Sequence, residues 1–155
     1  MFKRILLPTD GSALSGAAVA LAVDLARQWG SELVAVAVVQ PALALPLSEA
    51  ALTIDVAAET RQLLEDARRD VEAVAAAATA AGVRCATVTV SDQPIHKALL
   101  DVARDRQCDL ILMASHGRHG LSRLIAGSQT QKVMAESIIP VLVLRPGAPA
   151  AEQDR

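Results

Sequence analysis

The stretch CDLILMASHGRHGLSRLIAGS, residues 108–128, decides how this chain folds. Its first part is a short and nearly continuous apolar run, typical of a strand covered on both faces of a parallel sheet. Three glycines and a serine then lead into a helical pattern, and serine is a preferred residue at the start of a helix. The stretch therefore predicts a buried strand, a glycine-rich loop and a helix in succession.

The same unit repeats along the chain. Apolar runs cover residues 4–8, 32–39, 83–90, 109–114 and 138–144, and helical patterns cover residues 12–29, 54–81, 94–106 and 128–137. This alternation predicts an α/β fold with a doubly wound, open, five-stranded parallel sheet of order 3-2-1-4-5. Helices are expected on both faces, in a Rossmann-like architecture. The domain is expected to span residues 1–146, and the polar, proline-containing residues 147–155 are expected to be disordered.

Composition excludes several classes of protein. The net charge of −2, with one Phe, one Trp and no Tyr, argues against a nucleic-acid partner. No apolar stretch reaches the length of about 18 residues that a membrane span needs, and the amino terminus does not read as a signal peptide. Cys85 and Cys108 lack metal-ligand spacing and are expected to be buried, reduced thiols. These features favour a cytoplasmic protein without a membrane partner or a metal site.

Two loops are expected to flank one crevice. PTDGS, residues 8–12, follows the first strand, and the glycine-rich loop follows the fourth. In a doubly wound sheet, ligands bind beyond the carboxyl ends of the strands where the winding reverses. Glycines let the backbone approach a ligand, and free N–H groups at a helix start attract phosphate. The same residues can also form plain turns, but their conjunction favours an anion site. Its candidates are Gly117, Arg118, Gly120, Arg123, Gly127, Ser128, Gln129 and Thr130.

No catalytic residue is predicted. The chain lacks the spacing of a P-loop and the glycine fingerprint of a dinucleotide site after its first strand. His116 and His119 have no carboxylate or further ligand at metal-binding spacing. Ser115 and Ser122 lack the G-x-S-x-G elbow of a nucleophile.

Three blocks of the sequence resemble the universal stress protein family, over nearly the whole chain. They are ILLPTDGS at residues 5–12, ASHGRHGLSRLIAGS at residues 114–128 and IIPVLVLR at residues 138–145. The second block is similar to the family's nucleotide motif, Gly-x2-Gly-x9-Gly-Ser/Thr. Gly117, Gly127 and Ser128 match that motif, whereas Ala114 stands at its first glycine.

The resemblance implies an ATP pocket, with Mg²⁺ on the phosphates. Asp10 would face the ribose and phosphates, and the backbone of Val38 would meet the adenine edge. The other implied contacts fall into three groups. Pro8 and Thr9 would shape the wall beside Asp10, Met113 and Ala114 would line the ribose, and His116, Gly117, Arg118, Gly120, Gly127, Ser128, Gln129 and Thr130 would surround the phosphates.

The implied function is that of an ATP-binding stress-response regulator, with slow ATP hydrolysis at most. A dimer of the same fold that binds no nucleotide and works through protein partners is the alternative. An adenylating enzyme is disfavoured, because PTDGS lacks the HxGH-type signature. The apolar stretch that starts at Pro140 and ends at Leu144 should lie at a sheet edge, where pairing with a second copy would cover it. We therefore expect a homodimer through the last strand.

Overall fold

The computed structural model describes residues 1–40, 56–91, 94–115 and 126–145, and at residues 56 and 126–128 the backbone only. Strands and helices alternate along the chain. The strands are β1 (Arg4–Pro8), β2 (Glu32–Val39), β3 (Cys85–Ser91), β4 (Leu110–Ala114) and β5 (Val141–Leu144). The helices are α1 (Ala13–Trp29), α2 (Val56–Ala80), α3 (Ile95–Asp105) and α4 (Ala126–Glu136).

The five strands form one parallel sheet of order β3-β2-β1-β4-β5, which confirms the predicted topology. The central strand β1 is buried on both faces, because alternate side chains enter two different cores. Leu7 belongs to the cluster that packs against α1 and α2. Leu6 belongs to the cluster that packs against α3 and the buried side of α4. Continuous apolar runs were therefore the right signal for the central strands.

The predicted starts of the third and fifth strands, at residues 83 and 138, are wrong by a few residues. Strand β3 starts at Cys85, because the N–H of Val83 donates to the carbonyl of Ala78 and closes the end of α2. Strand β5 starts at Val141, because the hydroxyl of Ser137 binds both the N–H and the carbonyl of Ile139 in a tight turn. Pro140 therefore lies before the strand.

The helix starts also differ from the prediction. Helix α4 begins at Ala126 rather than at Ser128, so Gly127 and Ser128 lie in its first turn. Helix α3 begins at Ile95, one residue after the predicted start, and Pro94 caps it without a side-chain hydrogen bond. Ser12, the first residue of the predicted helical pattern, caps α1, since its side chain accepts a hydrogen bond from the N–H of Ser15.

Both cysteines are free thiols, but only Cys108 is buried. Cys85 is half-buried at the start of β3, and the expectation that both thiols are buried is wrong for it. Burial raises the pKa of Cys108 to about 11, so this thiol stays protonated and unreactive at neutral pH. Among the described residues, no helix is long and apolar enough to cross a bilayer.

Candidate functional site

A cavity of about 360 Å³ opens at the carboxyl ends of β1, β2 and β4, and we call it the crevice. This is the position predicted from the sequence, where the winding direction of the sheet reverses. Its wall comes from the β1–α1 turn, the sheet, and the first turns of α3 and α4. The lining residues are Pro8, Thr9, Asp10, Ser12, Leu14, Ser15, Val36, Val38, Ile95, Leu99, Met113, Ala114, Gln129 and Thr130.

Hydrogen bonds within the β1–α1 turn, and one to β2, fix the shape of this turn. The N–H of Thr9 donates to the carbonyl of Val36 at 2.9 Å, which ties the turn to β2. The N–H of Gly11 donates to the Thr9 hydroxyl at 3.3 Å. The N–H of Ser12 donates to Asp10 Oδ1 at 3.0 Å, and the Ser12 side chain caps α1. The turn is therefore fixed in shape, with the side chain of Asp10 at the mouth of the crevice.

Asp10 is negatively charged at neutral pH. Burial by itself raises the pKa of this carboxyl group, but hydrogen bonds from Ser12 and Ser15 outweigh burial and hold the pKa below its ordinary value. Asp10 is the one charged side chain among the described residues that line the crevice, and that part of the lining contains no Lys or Arg. The described wall therefore suits a ligand portion that is neutral and rich in hydrogen-bond donors.

Ala114 fits the position where the family motif has its first glycine. It is the last residue of β4, and the next N–H, of Ser115, donates to the carbonyl of Leu144 at 2.9 Å. Gln107 is the one described residue other than glycine with a positive φ, so Ala114 has the negative φ that any residue adopts. The alanine methyl group is therefore accommodated without backbone strain.

Helix α4 supplies the wall opposite the β1–α1 turn. Thr130 is buried there, and the side-chain oxygen Oε1 of Gln129 is buried without a hydrogen-bond partner. The first N–H groups of a helix have no partner within the helix, and they favour an anion at this end. The backbone of Gly127 and Ser128 lies in this first turn.

The crevice brings together eight of the residues predicted from the sequence. They are Pro8, Thr9, Asp10, Val38, Met113, Ala114, Gln129 and Thr130. Four others, His116, Gly117, Arg118 and Gly120, lie outside the described residues, as does Arg123. Within the described part of the chain, no group of three or more His, Cys, Asp or Glu side chains is placed to hold a metal ion.

Ser12 lines the crevice as part of the predicted PTDGS loop, although no contact was assigned to it. Sequence reasoning missed five further lining residues, which are Leu14, Ser15, Val36, Ile95 and Leu99. The regular spacing of side chains along strands and helices could have identified three of these residues. Val36 precedes Val38 by two residues on a strand, so both side chains point to one face. Ile95 and Leu99 are four residues apart on a helix and also share a face.

The fold and the crevice together define a doubly wound α/β domain with an open cavity at the switch point of its sheet. The model of the universal stress protein family matches residues 1–145, and the chain belongs to this family. A universal stress protein of Thermus aquaticus is 37% identical over 149 residues, which cover 94% of this chain and 100% of that protein.

Solved structures of the family share the fold. The protein MJ0577 of Methanocaldococcus jannaschii superposes with a TM-score of 0.78 at 26% identity, covering 96% of this chain and 99% of that one. A universal stress protein in complex with cAMP has a TM-score of 0.67 at 24% identity over 92% of this chain and 97% of that one. A universal stress protein from Archaeoglobus fulgidus in complex with dAMP has a TM-score of 0.65 at 14% identity, with the same coverage.

Proposed function

We propose that the crevice binds an adenine nucleotide, with ATP as the physiological ligand, and that the protein is a stress-response regulator. The observation that carries the proposal is the crevice itself. It lies at the switch point of the sheet, with an apolar floor, a fixed carboxylate at one side and the amino terminus of α4 at the other. Two other members of the family are known with adenine nucleotides bound, cAMP in one and dAMP in the other.

The base, the ribose and the phosphates of a nucleotide each have a chemically suitable surface in the crevice. Val36, Val38, Leu99 and Met113 offer apolar surface for a base, and Asp10 offers an acceptor for ribose hydroxyl groups. Gly127 and Ser128 lie in the first turn of α4, and the backbone N–H groups at a helix start can bind a phosphate. Mg²⁺ would then bind through the phosphates. The proposed function is one of sensing, with slow ATP hydrolysis at most.

We further propose that the protein is a cytoplasmic homodimer joined through β5. This strand is at the sheet edge, and its Leu142 side chain is 39% exposed. An apolar edge strand invites pairing with another chain, and pairing about a two-fold axis covers the edges of both copies.

A bulky side chain placed inside the crevice tests the proposed nucleotide site. Val38 and Val90 are paired neighbours on β2 and β3 and pack on the same core cluster, but only Val38 lines the crevice. We expect Val38→Phe to weaken ATP binding at least about tenfold, because the ring occupies the space of the base. Val90→Phe is the matched control and should keep the wild-type affinity. Equal ATP affinity for wild type and Val38→Phe, measured by calorimetry on folded protein, would place the site elsewhere.

A further inference from the structure

Among the described residues that line the crevice, one buried side-chain atom has no hydrogen-bond partner. The amide oxygen Oε1 of Gln129 is fully buried and accepts no hydrogen bond from the described residues. Gln129 lies in the first turns of α4 and lines the crevice next to the buried Thr130. A buried acceptor that lacks a donor destabilises the protein, and native structures rarely keep one without a functional reason. This buried oxygen therefore indicates that a bound ligand supplies the missing hydrogen-bond donor.

The chemistry of this atom selects the part of the nucleotide that it can contact. A carbonyl oxygen only accepts hydrogen bonds. The oxygens of an ionised phosphate also only accept, so they cannot satisfy Oε1. A nucleoside carries donors of two kinds, the exocyclic amine of adenine and the ribose hydroxyl groups. Asp10, the charged residue of the described lining, is also an acceptor, so two side chains on different walls of the crevice call for donors rather than for phosphate.

We propose that Gln129 recognises a hydrogen-bond donor on the nucleoside portion of the ligand, and does not bind phosphate. The proposal rests on the proposed nucleotide-binding function and replaces the phosphate role that the family resemblance implies for this residue. Gln129 is then a specificity-determining residue, since a ligand without the matching donor leaves its buried oxygen unsatisfied.

The first test removes the acceptor. Gln129→Met keeps the length of the side chain and should leave the melting temperature equal or higher, because a buried unsatisfied oxygen is removed. Its affinity for ATP and for AMP should fall by the same factor, about three- to tenfold. Gln131→Met is the matched control, on the same helix but exposed, and should change neither affinity.

The second test removes the donor from the ligand. Wild type and Gln129→Met are each titrated with ATP, 2′-deoxy-ATP, 3′-deoxy-ATP and purine riboside triphosphate, which lacks the amine. The analogue without the recognised donor should lose about the same affinity as the variant does, and the variant should no longer distinguish it from ATP. The analogue that shows this coupling identifies the amine or one hydroxyl group as the partner of Gln129.

Two results would overturn the inference while leaving nucleotide binding intact. One is an unchanged ATP affinity in Gln129→Met. The other is a loss confined to ATP with AMP unaffected, which would mean that the side chain turns its amide nitrogen inward to the β- or γ-phosphate. If wild type binds none of these nucleotides, the proposed function fails, and this inference fails with it.

Discussion

At the scale of single residues, Gly11 shows how the β1–α1 turn reaches its shape. Its φ of +72° is a conformation that side chains disfavour. A Cβ placed on it would lie 2.5 Å from Oδ1 of Asp70, a residue on α2. The turn that presents Asp10 to the crevice therefore needs glycine chiefly for its backbone angle, and an added Cβ would also force the Asp70 carboxylate to move.

Two glycine substitutions near the crevice should have opposite effects. Gly11→Ala should lower the free energy of unfolding by about 1–2 kcal/mol, mainly through the positive φ, since the Asp70 carboxylate can move. Gly16→Ala should raise it by about 0.5–1 kcal/mol, because Gly16 is inside α1 with open space around it. Urea denaturation of both variants measures this. Equal stability of Gly11→Ala and wild type would show that the turn is not constrained as described.

Much of the residue-scale site was predictable, because its signals are local. Ser12 begins the predicted helical pattern of residues 12–29, and Asp10 stands between a strand and a helix, where ligands bind in this type of sheet. The approach of Asp70 to Gly11 joins positions 59 residues apart, and no local pattern encodes it. The buried oxygen of Gln129 depends in the same way on packing between distant elements.

At the scale of elements, Asp109 joins the starts of two strands. Its carboxylate accepts hydrogen bonds from the N–H groups of Lys3 and Arg4, at 2.8–3.0 Å, just before β1 and β4 pair. Burial raises the pKa of Asp109, but these bonds outweigh burial and hold the pKa below its ordinary value. The ionised form is therefore the one that stabilises the strand pair.

The contribution of Asp109 should depend on pH. A lowered pKa in the folded state adds stability above the unfolded pKa of about 4, and this stability disappears as the pH falls through the folded value. Asp109→Asn should cost about 1 kcal/mol at pH 7 and progressively less below pH ~4. Asp105→Asn, which breaks a surface pair with Arg104, should cost little at either pH. A cost for Asp109→Asn that stays constant from neutral to acidic pH would contradict this account.

The bounds of β1 and β2 follow directly from the sequence, because both strands are apolar runs that end at polar or turn residues. The bounds of β3, β5 and α4 do not. Val83 and Ile139 are apolar and look like strand residues, yet their N–H groups are used by a helix end and a serine turn. Hydrophobicity places an element, but hydrogen bonding at its ends sets its length.

At the scale of the whole molecule, the unpaired side of β5 is where we expect a second copy. Leu142 and Leu63 are similarly exposed, at 39% and 36%, on β5 and on α2. Leu142→Glu should convert the dimer to a monomer, because a carboxylate would be buried in the interface, whereas Leu63→Glu should leave the dimer intact. Sedimentation velocity distinguishes these states. A wild type that sediments as a monomer, or a Leu142→Glu variant that remains dimeric, would refute pairing through β5.

The central claim is that the crevice at the switch point of the sheet holds an adenine nucleotide. Calorimetric titration of the wild-type protein with ATP tests it most directly. We predict saturable binding with one site per chain and a micromolar Kd. The absence of saturable heat with ATP and with AMP would contradict the claim, and it would favour a family member that works through protein partners alone.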